Sequence, residues 1–201
     1  MKRHFFLLII LILSIFSMSF YKQSQTLATV DSLSKNAIRF HILANSDDAI
    51  DQSLKLKVKV AVVDYIYHHT KDMDTVDETR HFIVRNNKQI LAIAKDTLRE
   101  NGCSYNVTSY FGKQQFPDKS YGDVTFPAGE YTSYTIYIGK GKGHNWWCVL
   151  YPPLCFTDAT CATVPDSSKE KLKNSLDEKQ YECITEYKFK YLKFLNKYIN
   201  Q

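Results

Sequence analysis

Glycine and proline are scarce in this chain, seven and five among 201 residues. No internal repeat, low-complexity tract or second domain boundary interrupts it, so linkers and repeat arrays are excluded. None of the five cysteines (103, 148, 155, 161 and 183) forms a Cys-x-x-Cys pair, which argues against a zinc knuckle or a thioredoxin-like motif. His68 and His69 are adjacent rather than four apart, His81 is distant, and there is no His-Glu-x-x-His. A metal site is therefore not expected, and neither is a cofactor. Charge of one sign is also lacking. The net charge is +5, but the segment through Ala28 carries three basic residues and no acidic one, leaving +2 for the rest. So balanced a chain does not suit nucleic acid.

What is abundant is apolar and aromatic: 44% of the residues are hydrophobic, with fourteen Tyr and twelve Phe. Behind Lys2 and Arg3 runs an uncharged stretch from Phe5 to Phe20. A basic start followed by a short apolar run reads as an export signal, either cleaved (after Ser19 or Ala28) or kept as a membrane anchor. The basic end stays in the cytoplasm and the rest faces outward. Residues 1–28 are accordingly expected to be signal peptide or anchor, and 37–201 a single domain with a core of its own.

Along that domain, "AIRFHILA" (37–44) alternates as a strand, with Ser46 or Asp48 as a helix cap after it. "SLKLKVKVAVV" fits the two-residue period of a strand, yet its upstream caps and its length favour a helix. Thr75 and Glu78 have capping-box spacing, and Gly102 supplies a left-handed stop, which predicts one helix of about seven turns. Strands follow in "CSYNVTSYF", "YGDVTF", "YTSYTIYIG" and "WWCVLY", with "GKGKG" (139–143) as a hairpin connection between the last two. A P-loop would need Ser or Thr after Gly-Lys and a helix behind it. After a polar loop from Thr157, Ser167 and Glu170 open a helix lined by Leu172, Leu176, Ile184, Tyr187, Tyr191, Leu195 and Tyr198. The fold class is α+β, a mainly antiparallel sheet packed with two N-terminal helices and one C-terminal amphipathic helix.

The most concentrated stretch is "GKGHNWWCVLYPPLC" (141–155). As a strand it puts His144 and Cys148 roughly 13 Å apart, so they form no catalytic dyad; a Cys-His pair would need another histidine, such as His41, to approach Cys148. Trp146, Cys148 and Leu150 share one face, and Trp147, Val149 and Tyr151 the other. Both faces are apolar and ask to be covered. Pro152 and Pro153 end the strand, and a Cys148–Cys155 disulfide is a candidate that closes a loop of about eight residues for about 2–3 kcal/mol. The motif reads as built rather than reactive, and its Trp and Tyr are residue types that interface hot spots use.

"IRFHILANSD" (38–47) followed by "LKLKVKVAV", and "PAGEY…IGKGKGHNWWCVLYPPLCF", resemble the stage II sporulation protein R family of endospore-forming Firmicutes over about residues 37–156. The resemblance implies a non-enzymatic signalling protein, made in the forespore and exported into the space between forespore and mother-cell membranes. There it would trigger a membrane-embedded aspartic protease that removes the pro-sequence of sigma-E. Residues 5–20 would contact the forespore membrane. Motif and composition single out Arg39, His41, Asn45, His144, Asn145, Trp146, Trp147, Pro152 and Pro153 as the candidate partner surface, with no catalytic or metal-binding residues. Two rival readings are an envelope hydrolase using a cysteine or aspartate, and a structural envelope protein.

Overall fold

The computed structural model describes residues 2–155 and 164–186. Cys161, the start of the polar loop at Thr157, and Tyr187, Tyr191, Leu195 and Tyr198 of the C-terminal stripe lie outside the described residues. The elements are α1 (Lys2–Asn36), β1 (Ile38–Leu43), α2 (Ala49–Thr70), α3 (Val76–Arg85), α4 (Asn87–Glu100), β2 (Val107–Phe116), β3 (Lys119–Tyr121), β4 (Val124–Phe126), β5 (Gly129–Ile138), β6 (Asn145–Tyr151), α5 (Asp166–Ser175) and α6 (Glu178–Glu186).

Four strands form a sheet in the order β2-β5-β1-β6. Only β1 and β5 run parallel; the other two pairings are antiparallel. Alternation along the strands splits the core in two. Phe40, Ile42, Tyr134, Ile136, Cys148 and Leu150 meet α2, α3 and α4 on one face. On the other, Phe116, Tyr131 and Val149 meet the end of α1, the β3–β4 hairpin, α5 and α6. The α+β class and the mainly antiparallel sheet are as the sequence predicts.

The lysine-alternating run is helical, inside α2, and Asp48 is its N-cap residue without a side-chain cap bond. Four differences from the sequence reading have local causes. The long helix is broken at Asn86 into α3 and α4: Asn86 leaves helical geometry at φ −98°, ψ 10°, and its amide donates to Phe82 O. The break lies in the polar Arg85–Gln89 stretch and brings Ile83 and Ile90 into one core. Gly139–Gly143 is not a hairpin, because β1 is inserted between β5 and β6. The C-terminal helix begins at Asp166, behind Pro165, rather than at a Ser167 cap, and a second helix, α6, starts where Asp177 and Gln180 cap each other. Finally, a bulge pairs Ile38 with Tyr151 but Arg39 with Val149. The extra residue, Leu150, swings Tyr151 onto the face of Ile38 and Leu150, away from Trp147 and Val149.

α1 is unbroken from its apolar run into the domain. Phe5, Leu11, Phe16 and Phe20 are all more than half exposed, and α1 is, among the described residues, the helix long and apolar enough to cross a membrane. Its last two turns belong to the core. Thr29 and Leu33 are fully buried, and Thr132 Oγ1 donates to Ser34 O at 3.1 Å. Ser32 Oγ and Asn36 Nδ2 both reach Ser175 O at the end of α5.

Candidate functional site

The two motif stretches lie side by side. β1 and β6 pair antiparallel from Ile38↔Tyr151 to Leu43↔Asn145, which sets His41 opposite Trp147 and Phe40 opposite Cys148. The connection from β5 to β6 crosses the end of β1 and is held there by the chain just after β1. Asn45 Oδ1 accepts from Lys140 N at 3.0 Å, and Gly143 N donates to Ala44 O at 2.9 Å. His144 donates from its backbone N and pairs through Nδ1 with Asp47 Oδ1. These two hydrogen bonds hold the Asp47 carboxyl below its ordinary pKa. Asn45 Nδ2 and Ser46 Oγ in turn donate to Asp51 Oδ2 at 2.8 and 2.6 Å, tying the knot to the first turn of α2. Glycine is required at the crossing: a Cβ on Gly143 would lie 2.1 Å from Ser46 O.

The sequence-selected residues fall into three environments. Arg39 is fully buried in a cage of Phe116, Tyr131, Phe126 and Tyr121, whose ring centroids lie 4.4, 4.9, 5.1 and 5.9 Å from its guanidinium carbon. Its Nη2 donates to Tyr121 Oη at 3.3 Å. Burial pulls its pKa down, and the neighbouring tyrosines oppose that shift. Arg39 is thus a core residue, not part of the exposed surface. Pro152, joined to Tyr151 by a cis peptide bond, is likewise buried, while Pro153 is half-buried.

His41 occupies a polar band on the second face. Its ring stacks on Trp147 at 4.8 Å and meets the edge of Phe116 at 5.2 Å. Nε2 lies 2.8 Å from Gln114 Oε1, which also accepts from Ser133 and Thr135, while Gln114 Nε2 donates to Tyr137 Oη. A neutral ring donating from Nε2 leaves Nδ1 an acceptor, satisfied when the Asn145 amide, 3.3 Å away, turns its nitrogen inward. Burial keeps this ring neutral by lowering its pKa. The sequence reading missed Gln114, which has no local signal; only the β2–β5–β1 register brings it to His41.

Trp146 lies on the opposite face, edge-on to Phe40 at 5.9 Å, with Lys59 Nζ 5.2 Å above its ring. Asn145, Trp146 and Trp147 are half-buried, and His144 is exposed. Cys148 is 1% exposed and joined to Cys155. His41 points to the other face of the sheet, so the Cys-His pair left open by the sequence is not formed here. Among the described residues, no His, Cys, Asp and Glu group has the geometry to hold a metal ion.

A family model described as stage II sporulation protein R matches residues 34–161, which include both motifs and the crossing that joins them. The chain is 41% identical over 150 residues to Stage II sporulation protein R of Bacillus subtilis (strain 168). That match covers 75% of this chain and 66% of the relative, just under two thirds of the relative's length. No solved structure matches. By the span of the family match and the identity to this relative, the chain belongs to the stage II sporulation protein R family.

Proposed function

We propose that this protein is an exported sporulation signal that switches on a membrane-embedded aspartic protease, which then removes the pro-sequence of sigma-E. It would act in the space between forespore and mother-cell membranes, tethered there or released according to the fate of α1. The observation that carries the reading is the way the two family motifs meet. A side-chain knot at Asn45 and Asp47 locks them together and presents two half-exposed tryptophans on an edge strand. Such rigid, partly desolvated aromatics supply binding energy at low entropic cost. The exposed apolar run of α1 supports export or anchoring.

Activation by a ligand requires differential affinity. The surface must bind the active state of the protease's outward-facing region more tightly than the inactive state, since equal affinity shifts nothing. A rigid, pre-formed surface suits that role, because ordering costs are met on folding and not on binding.

The test is co-expression of the protease and the sigma-E precursor in a non-sporulating host, with and without this protein exported by its own leader. Precursor cleavage only in its presence is the expected result. With all three proteins correctly localised, absence of cleavage contradicts the reading.

A further inference from the structure

The two-residue alternation of "LKLKVKV" (54–60) is wound into a helix, and a helix cannot bury such a pattern. Leu54 and Val58 reach the core, while Leu56 and Val60 are left 50% and 60% exposed. Packing among the described residues does not account for two adjacent aliphatics, at i and i+4, left this exposed. Their position does suggest a use. α2 runs alongside β6: Lys55 Nζ donates to His144 O at 2.8 Å, and one turn later Lys59 lies over Trp146. At about 100° per residue, Leu56 and then Val60 follow Lys59 round the helix, away from the sheet. Trp146, Lys59, Leu56 and Val60 therefore form one continuous strip that rises from the sheet edge over α2.

β6 is an edge strand, and its two halves differ. Cys148 to Tyr151 are buried, whereas Asn145, Trp146 and Trp147 are half-open, and Trp146 is the one on the face of the strip. An open strand edge takes an extended peptide by strand addition, and side-chain pockets above and below it supply selectivity. Charge narrows the occupant further. From Gln52 to Val63, α2 carries three lysines and no acidic residue, and Asp64, one turn beyond Val60, lies 3.4 Å from His68 Nδ1. The cation on the strip itself is Lys59.

We infer that the open half of β6 and the outward strip of α2 form a single shelf for an extended segment of apolar residues flanked by carboxylates, contributed by the membrane-embedded partner. This rests on the signalling reading and names its contact surface. The segment's apolar side chains cover Leu56, Val60 and Trp146, and a carboxylate meets Lys59.

Two readouts in the full chain, co-expressed with the protease and the precursor, decide it. A photo-crosslinking residue at position 56 or 60 gives a protease adduct, whereas one at Tyr110, exposed on the opposite edge strand, gives none. Leu56→Glu with Val60→Glu, both at exposed positions, lowers precursor cleavage about tenfold or more with no change in the protein's melting curve. Unchanged cleavage by this folded variant, beside an active wild type, overturns the shelf and leaves the signalling reading standing. An adduct with lipid instead of protease also overturns it, since a lysine-bearing apolar strip would then be serving a membrane surface. If the wild type gives no cleavage, the signalling reading fails separately, and the crosslink alone decides: a protease adduct upholds the shelf, and its absence overturns it.

Discussion

His41 sits between Trp147 and Phe116 with its Nε2 hydrogen on Gln114, and burial pushes its pKa below the ordinary histidine value of about 6.5. The unfolded chain therefore takes up this proton more readily than the folded one. The stability gained by keeping the ring neutral is fully present above about pH 6.5 and is lost as pH falls toward the folded-state value. Urea midpoints measured from pH 7.5 to 5.5 should fall with acidity, and His41→Gln should flatten the slope. An unchanged slope would show that His41 is not the titrating group. Motif and composition single out His41, Asn145 and Trp147, and the β1–β6 register then sets them side by side. Motif and composition do not reveal that Arg39, two positions earlier, turns into a closed aromatic cage, because all four rings come from strands 77 to 92 residues downstream.

Among the elements, α1 departs most from its sequence appearance. The apolar run ends at Phe20, and "TVDSLSKN" (29–36) falls between the expected leader and the expected domain. In the fold it is two helical turns of core, with Leu33 fully buried against the second face of the sheet. Leu33→Ala should cost about 2–5 kcal/mol, read as a lowered urea midpoint with an unchanged slope. A negligible loss would mean that α1 is only a tether. The same limit explains the misread connection at Gly139–Gly143. Glycines with φ of +58° and +59° at 139 and 141 were legible as a turn. Which strand slips between β5 and β6 is fixed by β1, roughly 90 residues upstream, and by its parallel pairing with β5. Helix α2 shows the reverse case: its caps and length identified it against a strand-like period. The cost of that period, Leu56 and Val60 left outside, appears only once the helix is packed.

At the scale of the molecule, a helix that carries the membrane-length segment continues without a break into the core that supports β1 and β6. If α1 is retained, the motif surface is held by a stiff rod rather than a flexible tether, at a stand-off set by helix length. Residues 21–28, between the apolar run and the buried turns, would span about 12 Å at 1.5 Å per residue. A partner in the facing membrane would then meet a surface of fixed height and orientation, which reduces the entropy lost on binding. The Cys148–Cys155 link, with Cα atoms 5.4 Å apart, braces the far end of β6. The link was a candidate in the sequence, whereas the unbroken passage of α1 into the core was not visible beyond its ingredient, an apolar leader.

Replacement of both tryptophans tests the account's central claim most directly. Trp146→Ala with Trp147→Ala would be introduced into the exported full chain and assayed for sigma-E precursor cleavage beside the wild type. Because each ring also packs within the domain, on Phe40 and on His41 with Phe116, circular dichroism and the Cys148–Cys155 link would be checked in the same sample. The account predicts a folded protein that no longer triggers cleavage. A folded double variant that triggers cleavage as well as the wild type would contradict it.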